Sequence, residues 1–356
     1  MEIYIINFCL IIALYIMLFK IYKTKKSKII FCVAVFILFS LIQGLRAYSV
    51  GNDTNNYIRF FELSKDMSLI DVILTRQWTI EPGFGLLIKI SSALNFSPQL
   101  YLLLVAIIIN GGLMYCIYKN SDNPFASVMI FMGVEFFTLS FTALRQMIAV
   151  IIILNSYHFI KQRKLIKFII MVLLAATFHK TALIFLPVYF LKDIKINLKT
   201  IYIGIALLLI AQLIAVPIVT FLTKLIYTES YIKVIGGGIT QTLVILVYLI
   251  SGIFIYKDSI KKDDGTENII LIFIYFAFLI QSLACRINMI NRLMWYFYIF
   301  IIIYLPNMTK DISKTVIVKN KEIKLSTVYE CVIILLSMIQ YLFFSMDIYN
   351  VVPYNF

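Results

Sequence analysis

The sequence predicts an all-α polytopic membrane protein with about twelve transmembrane helices, in a range of about ten to thirteen at ~20 apolar residues per crossing. Three observations predict it. Of 356 residues, 62% are hydrophobic and only 14% are charged, against roughly half and a quarter in soluble domains. The mean hydropathy is +0.95. Apolar runs of about 18 to 22 residues, enough for a helix to cross a bilayer, recur from one end of the chain to the other. The whole chain, 1–356, reads as one integral membrane domain with no room for a large soluble one.

The runs fall at 3–19, 29–46, 99–118, 125–142, 143–160, 166–178, 180–191, 201–222, 239–256, 268–284, 291–308 and 327–346. The opening "MEIYIINFCLIIALYIMLFK" has neither a basic leader nor a small-residue cleavage site, and reads as a retained first span. The first long polar segment is 47–82, which begins "SVGNDTNNYIRFFE" after its first two residues. Its second half, "FFELSKDMSLIDVILTRQW", reads as an amphipathic segment lying on the membrane surface. "GFGLLIKISSALNF" (83–96) is apolar but short and carries Lys89, so it reads as a re-entrant or interfacial helix. The pair 166–178 and 180–191 is broken at "FHKT" around His179.

Orientation follows from the positive charges. Lysines crowd 20–28, 161–167, 192–199 and 310–324, which places these segments in the cytoplasm and both termini outside. The net charge of +14 is thereby explained by topology, and no nucleic acid is needed to account for it. Five cysteines lie in or beside apolar runs without CxxC or Cys/His spacing, and read as small apolar fillers.

On this topology 20 of 25 lysines are cytoplasmic, whereas six of seven arginines (Arg46, Arg59, Arg76, Arg145, Arg286, Arg292) fall at the outer side. A topology signal treats the two residue types alike and does not produce this split. A permanently charged planar fork suited to phosphate oxygens does. Arg59 is expected to pair with Glu62 or Glu81, and Glu135 either to pair with an arginine or to line a cavity. Around the arginines stand Asp53, Glu81 and His179 as competing candidate bases. Asn55, Asn56, Gln146, Asn288 and Asn291 are candidate contacts for sugar hydroxyls, and Tyr57 is an interfacial anchor. No HExxH, P-loop, GxSxG or DxD pattern occurs, so no metal, nucleotide or other cofactor is expected. Arginines for a diphosphate, amides for sugars and a base for a hydroxyl together fit sugar transfer from a lipid-linked diphosphate.

The order "GNDTNNYIRFF", "EPGFGLLIKI", "ALRQMIAVIII", "FHKTALIFLPVYF", "CRINMINRLMWYF" resembles the EpsG family of Wzy-type polysaccharide polymerases, over about Arg46 to Tyr298. The resemblance implies a helical architecture similar to glycosyltransferase class C. It also implies a bacterial cytoplasmic-membrane enzyme that polymerises capsule, exopolysaccharide or O-antigen repeat units carried on undecaprenyl diphosphate. Implied partners are the lipid-linked donor and acceptor, the bilayer, and flippase and chain-length regulator proteins. Arg145 and Arg292, then Arg46 and Arg286, are the expected diphosphate ligands. The alternatives are a flippase for the same lipid-linked glycans, which would show internal repeats and polar residues along a path, or a ligase using the same carrier.

Overall fold

The computed structural model describes residues 2–74, 80–194, 196, 198–226, 238–255, 266–285, 290–308, 315–318, 321–342 and 349–355. Arg76, Arg286 and Asn288 lie outside the described residues. The described chain is helical apart from one short hairpin of β1 (Thr315–Val318) and β2 (Lys321–Lys324).

Among the described residues, three helices are long and apolar enough to cross a bilayer unaided: α1 (Glu2–Tyr15) extended by a π-helical stretch to Tyr22, α2 (Ser27–Gly44) and α6 (Pro98–Asn120). Between α2 and α6 the polar segment forms α3 (Thr54–Ser64), α4 (Leu69–Leu74) and α5 (Pro82–Ala93). The amphipathic stretch is therefore two helices with a turn at 65–68 rather than one. α3 buries Thr54, Tyr57, Ile58, Phe61 and Ser64 along one stripe at helical spacing and leaves Asn55, Asn56 and Arg59 exposed. At 12 residues, α5 is about 18 Å long, well short of a ~30 Å hydrocarbon layer. It packs against α3, α4 and α10 (Leu165–Phe178).

The run 125–142, expected as one span, is bent by 58° into α7 (Pro124–Gly133) and α8 (Phe136–Thr142). Glu135 at the break is left-handed, with φ +72°. Such a break inside an apolar bundle frees backbone groups that water cannot satisfy. At the break the Val134 amide still donates to the Ile130 carbonyl, and the Glu135 carbonyl accepts from the Leu139 amide and the Thr138 hydroxyl. At the far end of α8, Arg46 donates to the Phe141 carbonyl at 2.9 Å. A buried chain then runs from Asn110 through Gln43 to Ser140, at 2.7 and 2.6 Å.

α9 (Leu144–Lys161) follows directly, packs on α10, and α10 leads into a 3-10 segment, Lys180–Leu191. α11 (Leu198–Ile226), α12 (Ile239–Ile255), α13 (Thr266–Ala284), α14 (Asn291–Tyr298), α15 (Ile301–Met308) and α16 (Leu325–Gln340) complete the helices. Residues 349–355 strap the polar segment in place. The carbonyls of Tyr349, Asn350 and Asn355 accept from the amides of Asn52, Gly51 and Ala47, and Tyr4 donates to the Val351 carbonyl.

Candidate functional site

Two local features bring distant residues together. Glu81 precedes proline, which holds its backbone extended (φ −70°, ψ 148°) at the start of α5. Its side chain makes no capping bond to α5, so the carboxylate is free to reach elsewhere. Gly83, two residues on, lies so close to Thr177 that an added Cβ would sit 2.3 Å from the threonine hydroxyl and 2.9 Å from its carbonyl. That close approach sets the start of α5 against the end of α10. There His179 leaves the helix with extended geometry (φ −156°, ψ 110°) before the 3-10 segment begins.

The outcome is a three-part cluster. Glu81 Oε2 accepts from Arg145 at 2.6 Å, and Oε1 pairs with His179 Nδ1 at 2.9 Å. The Lys180 backbone N–H lies farther from Oε1, at 3.4 Å. The side chains of Glu81, His179 and Arg145 are only 13%, 12% and 24% exposed, so solvent screens their attraction little. Burial works to raise the pKa of the Glu81 carboxyl. The hydrogen bond from His179 and the charge of Arg145 outweigh it, holding the group below its ordinary value of 4.5. Arg145 sits in the first turn of α9, where the helix dipole disfavours a cation. Helix stability therefore does not account for its position; the pair with Glu81 does.

The cluster extends on two sides. On one, Arg145 also hydrogen-bonds the Tyr57 hydroxyl of α3. Burial pushes that phenol upward; the Arg145 charge opposes the shift and the Asp53 carboxylate adds to it. On the other, Gln146 donates 2.6 Å to the Arg292 carbonyl and ties α14 to α9. Tyr296 bonds Thr181 at 3.0 Å, two residues from His179, and is within electrostatic reach of Glu81.

Among the expected site residues, Glu81, His179 and Arg145 are brought together. Asp53 lies nearby with its amide on Thr142 at 3.2 Å, but its carboxylate caps nothing. The Arg292 side chain is exposed and has no ion pair among the described residues. Asn291 Oδ1 is buried without a hydrogen-bond partner there. Asn55 and Asn56 point outward from α3.

Four expectations are corrected. Arg46 is 1% exposed and directs its donors to the carbonyls of Gln43, Val50 and Phe141 and to the Thr54 hydroxyl, so it braces the fold rather than meeting a diphosphate. The Gln146 amide is likewise engaged with backbone, on Arg292, and is not open to a sugar. Glu135 meets no arginine among the described residues; the Tyr349 hydroxyl approaches it at 3.4 Å. Arg59 has neither expected partner, since Glu62 pairs with Lys65 and Glu81 with Arg145. Tyr57 is more than an interfacial anchor. Its position three residues after Thr54 and four before Phe61, on the buried stripe, was the available signal.

No curated protein and no solved structure matches the chain. The profile of the EpsG family matches residues 28–356, which include every residue of the cluster. The chain belongs to the EpsG family, which is associated with Wzy-type polysaccharide polymerases.

Proposed function

We propose that the protein polymerises oligosaccharide repeat units carried on undecaprenyl diphosphate, at the outer face of the bacterial cytoplasmic membrane. In this reading the chain crosses about twelve times, with an architecture like glycosyltransferase class C. The growing glycan on its lipid diphosphate is the donor, and a hydroxyl of a fresh lipid-linked unit is the acceptor. The observation that carries the reading is the Glu81–Arg145–His179 cluster beside Arg292, which makes no ion pair among the described residues, on the adjoining helix. One part suits proton transfer from a hydroxyl, the other the charge that develops on a departing diphosphate. Exposed Asn55 and Asn56 flank the cluster through α3, where an incoming sugar can meet them.

Deleting the gene tests this. Single lipid-linked repeat units should accumulate on the outer leaflet, and long polymer should vanish. Accumulation on the inner leaflet would point to a flippase instead. Full-length polymer that fails only to reach its final acceptor would point to a ligase.

A further inference from the structure

His179 has two ring nitrogens, and among the described residues only one has a partner. Nδ1 faces Glu81 Oε1 at 2.9 Å. Glu81 is also paired with Arg145 at 2.6 Å, so it is a carboxylate with acceptors only, and Nδ1 must carry the hydrogen. In the neutral ring Nε2 then bears the lone pair. That atom is buried and has no hydrogen-bond partner among the described residues. A buried acceptor without a donor is destabilising. The missing partner is a donor, and a sugar hydroxyl is one.

Arg145 completes the argument. Its guanidinium bridges Glu81 and the Tyr57 hydroxyl. It therefore fixes the carboxylate that fixes the imidazole, an arrangement in which a third group orients the base. Among the described residues the exposed Arg292 guanidinium, on the helix that Gln146 ties to α9, makes no ion pair.

We propose that His179 is the general base of this site, that Glu81 and Arg145 are its positioning residues, and that Arg292 meets the diphosphate. The assignment rests on the reaction proposed above. As the acceptor hydroxyl gives its proton to His179 Nε2, its oxygen forms a bond to the anomeric carbon of the donor sugar. The bond from that carbon to the diphosphate breaks, and the electron pair leaves with the diphosphate oxygen beside Arg292. The proton on Nε2 passes to water when the product departs. Glu81 keeps its negative charge throughout and stabilises the transient imidazolium.

The charged and titratable groups around the ring are Glu81 ahead of α5, Arg145 on α9, Tyr57 on α3, Lys180 next in the chain, and Tyr296 on α14. Of these, the Glu81 carboxylate is the group that hydrogen-bonds the ring among the described residues.

The test uses the full-length protein in liposomes with a lipid-diphosphate-linked oligosaccharide, reading polymer length and initial rate. His179→Ala should lose about 100-fold to 10,000-fold in rate, the usual contribution of a general base. It should also lose the acid limb of the pH–rate profile. Added imidazole should restore at least about tenfold, with azoles of differing basicity giving rates that follow their basicity. Glu81→Gln should lower kcat and leave KM for the lipid-linked substrate near wild type. Retention of the acid limb in His179→Ala without azole rescue overturns the assignment. So does wild-type kcat in Glu81→Gln. If the wild-type protein itself makes no polymer from lipid-linked units, the reaction proposed above fails and the base assignment falls with it. If wild type polymerises and His179→Ala does so equally, only the base assignment fails.

Discussion

Among the described residues, two broken apolar segments hold a titratable side chain at the break. At the first, between α7 and α8, the Glu135 side chain meets a tyrosine hydroxyl at 3.4 Å. Its own carbonyl accepts from the Leu139 amide and the Thr138 hydroxyl. At the second, between α10 and the 3-10 segment, His179 is gripped by Glu81 and keeps a buried nitrogen without a partner among the described residues. The first break is closed and holds shape. The second is left one hydrogen bond short, which is the condition of a group awaiting a ligand. Position at a helix break is therefore not enough to mark a working residue; the state of its hydrogen bonds separates the two cases.

Arg46 serves the far end of α8 and Arg145 the second break, so exchanging them should separate folding from activity. The largest effect is expected from Arg46→Ala. It deletes four donor contacts in the interior, and charged hydrogen bonds contribute about 1.5–3 kcal/mol each. Folded yield by detergent-phase chromatography should collapse, and any surviving protein should work at near wild-type rate. Arg145→Lys should do the reverse. A point charge cannot hold both Glu81 and Tyr57, so polymer formation should fall on the order of tenfold to 100-fold while yield stays within about twofold. A full polymer ladder from that variant would collapse the distinction between the breaks.

Glu135→Gln tests the closed break. It keeps shape and removes charge, and should change the polymerisation rate by less than about threefold. A loss beyond tenfold would make the first break functional as well. The smallest effect concerns acid. The Glu81 carboxyl titrates below 4.5 in the folded protein. Its stabilising contribution is thus complete above the unfolded carboxyl range and drains away as pH falls through the lower folded value. The melting temperature difference between wild type and Glu81→Gln should shrink as pH falls through the carboxyl range. A difference that stays constant through that range would contradict the ionised carboxylate.

Much of the fold was legible because membrane helices are written in long apolar runs. The runs at 29–46, 99–118 and 143–160 reappear as Ser27–Gly44, Pro98–Asn120 and Leu144–Lys161. The bend inside 125–142 was not legible. One left-handed residue, Glu135, makes it, and glutamate is not a residue type that announces that conformation. The candidate site was half legible for a different reason. Residue type and loop position singled out Glu81, Arg145 and His179, yet Glu81 and His179 are 98 residues apart and nothing local pairs them. Arg46 and Arg145 look alike in the sequence; only the packed structure shows that one guanidinium is turned to carbonyls and the other to a carboxylate.

The strap of residues 349–355 has a consequence for the order of assembly. The segment carrying Asp53 is held by carbonyls that leave the ribosome some three hundred residues later. Early helices can insert while the loop between them stays unset, and residues 349–355 then lock it. A chain broken off before residue 349 would lack the bonds that set the segment carrying Asp53.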